Sequence, residues 1–488
     1  MSFADKNVAG RHLPRILFVL AILNIHLGGI AAGEKEKKPS LLADAAEHKQ
    51  WSQLKQLCAS GENANSSQAD GMSALHWAAY HQHLESLQLL LESEVNTDAA
   101  TLYGITPLAI AVQRENVRIV QALLNSGADE KSILPGKITP LHLAAKAGFT
   151  ENVKALLDAG AEVGAGERKG QTPLMWAAAA GNVEVVELLI QRGADPTKHL
   201  KSGLNAMMFA AREGRTAVVA HLLEVGVDPN AKLESSSGGS RAPRKNSSAL
   251  TLAIESGHFE LALLLIKNGA DPNDQRCGYA PLHILSWVRK PKRGENPDGD
   301  PPPRGSGQLT SLQFARLLVE HGADVNLQLT QGKGGKAVLS HRGATPMLLA
   351  GKTADLPYMR LLVELGGDPK IPNAEGATAL MAAAGIGVRA VGEEPGSVAE
   401  VIETIDFLIE QGLNVNAIDE NGETAMHGAA YRNFPEIVDY LDERGADPDK
   451  WNHKNKHGWT PVMIAQGKRP GSFKPSPVTV AALRRAMK

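Results

Sequence analysis

Thr139-Pro140-Leu141-His142-Leu143-Ala144-Ala145 is the stretch on which the reading of the fold turns. It returns as Thr172-Pro173-Leu174-Met175-Trp176-Ala177-Ala178 and, upstream, as Thr106-Pro107-Leu108-Ala109-Ile110-Ala111. A second apolar run follows each copy and ends in Gly-Ala-Asp or a close variant, as in Leu123-Leu124-Asn125-Ser126-Gly127-Ala128-Asp129. Anchor leucines fall at 42, 75, 108, 141 and 174, each 33 residues after the last, and Met207 continues the series. A fixed period of this length means stacked structural units rather than one folded core.

Each residue of the stretch has a physical task. Thr caps a first helix, and Pro takes the first helical position, where its missing N–H costs nothing. Leu and the Ala pair lie on one face, and the small Ala side chains let neighbouring helices approach. The Leu-Leu pair of the second helix supplies most of the buried area. Gly ends that helix because it alone adopts the left-handed C-terminal conformation cheaply. Asp, Pro and Asn then suit a hairpin turn. One unit cannot bury its own apolar face, so stability has to come from stacking.

The T-P-L-H-x-A-A core, the period of 33 and the G-A-D-x-N tail together resemble the ankyrin-repeat family over nearly the whole chain beyond residue 40. The resemblance implies an α-rich solenoid of helix-turn-helix units joined by β-hairpin fingers. Anchors at 42, 75, 108, 141, 174, 207, 250, 282, 347, 380, 426 and 462 predict about twelve units. The composition agrees, with 43% hydrophobic but only 4% aromatic residues. A net charge of −2 does not suggest a nucleic-acid footprint.

The spacing divides the chain further. Residues 41–233 hold the N-terminal repeats, 234–247 a flexible insertion, and 248–469 the C-terminal repeats. Within the latter, further insertions fall at 290–310, 328–341 and 385–400, and 470–488 is expected to be a basic helical cap. The 290–310 segment, with Lys290-Pro291-Lys292-Arg293 and Asp300-Pro301-Pro302-Pro303, suits a flexible or polyproline-like loop between two helices.

The start differs in kind. Arg11 and Arg15 precede the apolar run 16–23, small residues follow at 28–33, and a charged linker occupies 34–40. Residues 1–33 read as a secretory signal peptide, or as a membrane anchor if uncleaved. Asn24 and His26 leave the apolar run short for a membrane span of about 20 residues. An exported chain, periplasmic or secreted, is expected. Cleavage would remove three bases and one acid, for a net charge of −4. Cys58 and Cys277 lie in distant repeats and are expected to be unpaired, buried fillers.

No sequence motif for catalysis, metal or cofactor stands out. C-x-x-C, G-x-S-x-G, the phosphate-binding P-loop and H-E-x-x-H do not occur. Gly385-Ile386-Gly387 with Gly392 follows a helix rather than a strand and does not suit a phosphate cradle. His76, His142, His283 and His427 share one motif position. The resemblance implies that this histidine hydrogen-bonds the backbone of the neighbouring hairpin. His453 and His457 flank a predicted hairpin and offer no helical metal-binding face. No catalytic, cofactor or metal site is expected.

The resemblance implies instead a concave protein-binding face, lined by hairpin tips and first helices. Its variable positions here are Met72, Tyr80, His81, Tyr103, Ile105, Gln113, Arg114, Ile138, Lys146, Gln171, Arg212, Tyr279, Trp287, Tyr431, Arg432 and Trp459. Aromatic and Arg residues are frequent among them, and such residues dominate binding hot spots. Trp77, Trp176 and Phe209, one position further into the core, are expected to pack on neighbouring repeats. The expected function is a non-enzymatic, monomeric, exported scaffold binding one or more proteins. Two alternatives are an exported inhibitor of a particular enzyme and a membrane-tethered assembly factor. Long bacterial members of this kind are in some cases joined to cytochrome c domains, whose haem-attachment motif is missing here.

Overall fold

The structure is a computed structural model that describes residues 40–235, 243–291, 301–332, 334–335, 338–392, 394–469 and 475–488. The expected signal or anchor at 1–33 lies outside these residues, as do parts of the insertions. The described residues form 25 α-helices, and all but the short Pro448–Trp451 group into twelve consecutive pairs. The first pair is Leu41–Glu47 with Trp51–Ala59, and the last is Pro461–Ala465 with Pro477–Arg485. All twelve predicted anchors lie in first helices. Eleven are buried, and Val462 in the terminal unit is half-buried.

The motif chemistry appears where the sequence places it. Thr106, Thr172, Thr345 and Thr460 each accept a hydrogen bond from the backbone three residues on, with Pro directly after. Gly127 has φ +89°, and the Ala128 amide reaches back to the Leu123 carbonyl, which closes the second helix. The fingers fall short of ladders. Each is closed by turns and at most an isolated bridge, such as Ser67 with Ser73 or Lys232 with Ser248. Among the described residues no extended strand forms, so the expected β-hairpins are hairpin-shaped turns.

An asparagine side chain supplies what a strand ladder would. Asn273 Nδ2 donates to the Gly322 carbonyl at 2.8 Å, and its Oδ1 accepts from the Asp324 amide at 2.8 Å. Asn65, Asn230, Asn326 and Asn416 make the same two bonds to their next tails. An amide side chain offers a donor and an acceptor on separate atoms of one planar group. Lys131 and Gly164 occupy this place in two N-terminal repeats and cannot make both bonds.

The chain divides into two compact units, Met1–Pro196 and Thr197–Lys488. In each, first helices pack on neighbouring first helices and second helices on neighbouring second helices. Leu87, Leu90, Leu123, Val153 and Leu156 fill the N-terminal unit between the layers, and Val218, Leu222, Leu265, Leu318 and Leu362 fill the C-terminal unit.

The insertions sit at joints of the pattern. Residues 290–310 join the eighth pair, Pro281–Arg289 and Ser311–Glu320. Their described end is held on the preceding repeat. The Ser306 amide donates to His258 Nδ1 at 2.9 Å, and the Leu309 amide to Glu260 Oε1 at 2.7 Å. That anchorage corrects the expectation of a flexible loop for 301–310. The 385–400 insertion joins Ala379–Ala384 to Val398–Glu410, whose helix absorbs its last residues.

Candidate protein-binding surface

Three of the four motif histidines make the expected bond. Nε2 of His76, His142 and His283 lies 3.0 Å from the carbonyls of Ile105, Gln171 and Ala344. In His76 and His142, Nδ1 faces the N–H and hydroxyl of the capping residue, Ser73 or Thr139. An Nδ1 that accepts a backbone N–H has to stay unprotonated, so Nε2–H donates to the hairpin. Burial drives the same way, lowering His76 and His283 to about 4. His283 follows Ala280 rather than a hydroxyl residue, and its Nδ1 has no partner. His427 fits the pattern loosely: its Nε2 interacts with the equivalent Trp459 carbonyl without a well-formed hydrogen bond, and its ring lies 5.6 Å from that of His453. His453 Nε2 lies 3.0 Å from the Gly422 carbonyl. Among the described residues, no three His, Cys, Asp or Glu gather around a metal-sized site.

In the N-terminal unit, Tyr80, His81, Tyr103, Gln113, Arg114, Ile138 and Gln171 are partly exposed, and Lys146 is exposed. The Arg114 guanidinium lies 4.7 Å from the Tyr80 ring centre, and Trp77 stacks on His81 at 5.7 Å. Lys146 lies 5.7 Å from the Trp176 ring, and Gln113 Nε2 donates to the Ala109 carbonyl. Trp77 and Trp176 are half-buried, and Trp176 packs edge to face on His142 of the preceding repeat at 5.4 Å, as expected. Met72 and Ile105 correct the expectation, being 2% and 1% exposed. Their carbonyls close the finger by accepting from the Gln68 and Thr101 amides, and their side chains turn under it. Ile138 and Gln171, at the same place in the next two repeats, stay half-buried.

In the C-terminal unit Arg212 is exposed, paired with Glu213 and 5.8 Å from the ring of the buried Phe209. Tyr279 and Trp287 meet edge to face at 4.7 Å. Arg244 lies over both rings, at 5.2 and 4.9 Å, and Tyr279 Oη lies 2.8 Å from His341 Nδ1. Trp459 is half-buried against His457 at 5.3 Å. Cys277 and Cys58 are free and half-buried rather than core fillers, and burial raises both thiols.

Tyr431 and Arg432 are the second correction, at 0% and 3% exposure. Tyr431 Oη donates to Glu423 Oε1 at 2.6 Å, and the Arg469 guanidinium lies 4.8 Å from its ring. Arg469 also donates to the Tyr431 and Val388 carbonyls, and Arg432 donates to those of Pro395 and Lys352. The 385–397 insertion and the chain beyond the last first helix therefore cover the place that the repeat pattern leaves open. Sequence reasoning missed Arg244, Lys290, His341, Lys352, Glu394 and Arg469. Arg244, Lys290, His341 and Glu394 stand in insertions, so unequal repeat spacing was the available signal.

A family model described as ankyrin repeats in three copies matches residues 42–133, 130–199 and 195–276. A second, ankyrin repeats in many copies, matches 397–441, and together they span more than half of the chain. The glycerophosphocholine phosphodiesterase gde1 of Schizosaccharomyces pombe is 39% identical over 61 residues. That stretch is 12% of this chain and 5% of gde1, so it carries nothing about catalysis. Period, capping chemistry, paired helices and family models agree, and the chain belongs to the ankyrin-repeat family.

Proposed function

We propose that the protein is a non-catalytic, exported scaffold that binds a partner protein on the side formed by its first helices and fingers. The observation that carries this reading is the placement of its few aromatic residues. In the N-terminal unit Tyr80 lies beside Arg114 and Trp176 beside Lys146, and in the C-terminal unit Tyr279 and Trp287 lie beside Arg244, each group partly exposed on first helices and fingers. Aromatic and Arg anchors of this kind carry most of the energy in protein interfaces. The groups with strongly shifted protonation, such as His76 and Glu423, are shifted by burial and are engaged in structural hydrogen bonds. Export rests on the sequence of residues 1–33.

Affinity capture from the source organism tests the binding reading, using the full chain beside a Tyr80→Ala, Arg114→Ala, Trp287→Ala variant. A partner held by the first and lost by the second supports it. A partner held equally by both contradicts it. Sequencing the N-terminus of the native protein tests export. A start near Glu34 supports it, and an intact Met1 in the membrane fraction favours a tether.

A further inference from the structure

Four insertions, spread over the 150 residues between Arg244 and Glu394, converge on one place. Arg244, Lys290 and Pro291, His341, and Glu394 come from these four segments, and all line one cleft of about 450 Å³. Its remaining walls are Tyr279 of the eighth finger and residues in or just after the first helices of the eighth and ninth repeats, including Ser286, Trp287 and Lys352. A regular repeat has none of the four segments, so the insertions build a feature that the family pattern does not contain.

The lining charges are three cations, Arg244, Lys290 and Lys352, against one carboxylate, Glu394. Two of the cations are held by carboxylates that do not line the cleft. Arg244 is paired with Glu255, and Lys290 Nζ lies 2.7 Å from Glu400 Oε1. Such support fixes a charged group before a ligand arrives. Arg244 also lies against the Tyr279 and Trp287 rings, and with Nη1 on Glu255 the stacked guanidinium has its other N–H groups left to offer a carboxylate. At the cleft wall Ser286 is 1% exposed, and its Oγ has no hydrogen-bond partner. A buried hydroxyl without a partner costs stability unless a ligand satisfies it. Lys352 and Glu394 face one another at 3.7 Å in the same wall.

We propose that this insertion-built cleft binds an extended acidic peptide segment of the partner protein, with Arg244 and Lys290 receiving its carboxylates and Tyr279 and Trp287 its apolar side chains. The inference rests on the binding reading above and names the chemistry of one of its contact sites. Aromatic faces beside cations accept such a segment, while Glu394 disfavours a purely anionic small ligand.

Anisotropy titrations of the full chain test it, with three labelled octapeptides alternating Leu with Glu, Lys or Gln. The Glu peptide is expected to bind at least roughly tenfold tighter than the other two, and the affinity to fall with added salt. Arg244→Gln with Lys290→Gln is expected to lose roughly tenfold or more of that affinity while melting cooperatively. Should that variant fail to fold, Trp287→Phe gives an independent reading. The Glu peptide is expected to change tryptophan emission in the parent and not in Trp287→Phe. Free glutamate at equal carboxylate concentration is expected not to compete. No binding of the Glu peptide, equal binding of the Lys peptide, unchanged affinity in the folded double variant, an emission change that persists in Trp287→Phe, or full competition by glutamate would each overturn the proposal. If the partner captured above is still held when these titrations fail, the cleft is wrong and the scaffold reading stands.

Discussion

Glu423 is a carboxyl group that folding makes harder to ionise. Burial raises it from 4.5 to about 7, helped by the nearby charges of Asp419 and Glu375 and opposed by hydrogen bonds from Tyr431 and Asn455. Between those values the unfolded chain releases the proton and the folded chain keeps it, so this group's contribution to stability falls as pH rises from about 4.5 to 7. Tyr431 Oη and Asn455 Nδ2 both donate to Oε1, which Glu423→Gln preserves as an amide oxygen. Urea midpoints are expected to place that variant about 1–3 kcal/mol above the parent at pH 8 and level with it below pH 4.5. The motif histidines act in the opposite sense. His76 and His283 fall from 6.5 to about 4 on folding, so their contribution is complete above 6.5 and is lost as pH drops towards 4. A parent midpoint that declines across that interval, and less so in His76→Gln, is the expected titration. The roles of His76, His142 and His283 were legible because the family resemblance implies them, and each bonds the equivalent hairpin carbonyl of the next repeat. Burial of Tyr431 and Arg432 was not, because their cover comes from Val388, Pro395 and Arg469, which obey no repeat.

At the scale of elements, the spacing of anchors fixes where helices start, and departures from it locate the insertions. Where an insertion goes afterwards depends on single contacts. Gly428 stands at the helix position that Leu143 holds in the fourth repeat. A Cβ there would meet the backbone of Ala384, Gly385 and Ile386 at 2.9–3.0 Å. Its glycine thus lets the 385–397 insertion cross the helix closely. Gly428→Ala is expected to lower stability by about 1–3 kcal/mol, since the obstructing atoms are backbone and cannot swing away. Differential scanning fluorimetry measures it, and an unchanged melting temperature would mean that the crossing is loose. The fingers offer a second test. Asn273→Ala removes both bonds to the Gly322–Asp324 tail and is expected to cost about 1–3 kcal/mol by urea unfolding. The equivalent change at Lys131, where no amide side chain stands, is expected to cost little.

At the scale of the molecule, a stack of near-identical units leaves identity to what departs from the repeat. The ankyrin fold and its twelve units could be read from the period because each unit repeats one local solution. The candidate surface could be read in part. Tyr80, Arg114, Tyr279 and Trp287 were found from their places in the motif, whereas Arg244, Lys290, His341 and Glu394 gather around Tyr279 and Trp287 only once the insertions fold back. Hydrogen–deuterium exchange of the full chain, alone and with its captured partner, tests the central claim most directly. The account predicts slowed exchange in the fingers and first helices around Tyr103, Arg114 and Trp287, with the turns that end the second helices, such as Gly127 and Gly269, unchanged. Protection confined to those turns and the second helices would contradict it.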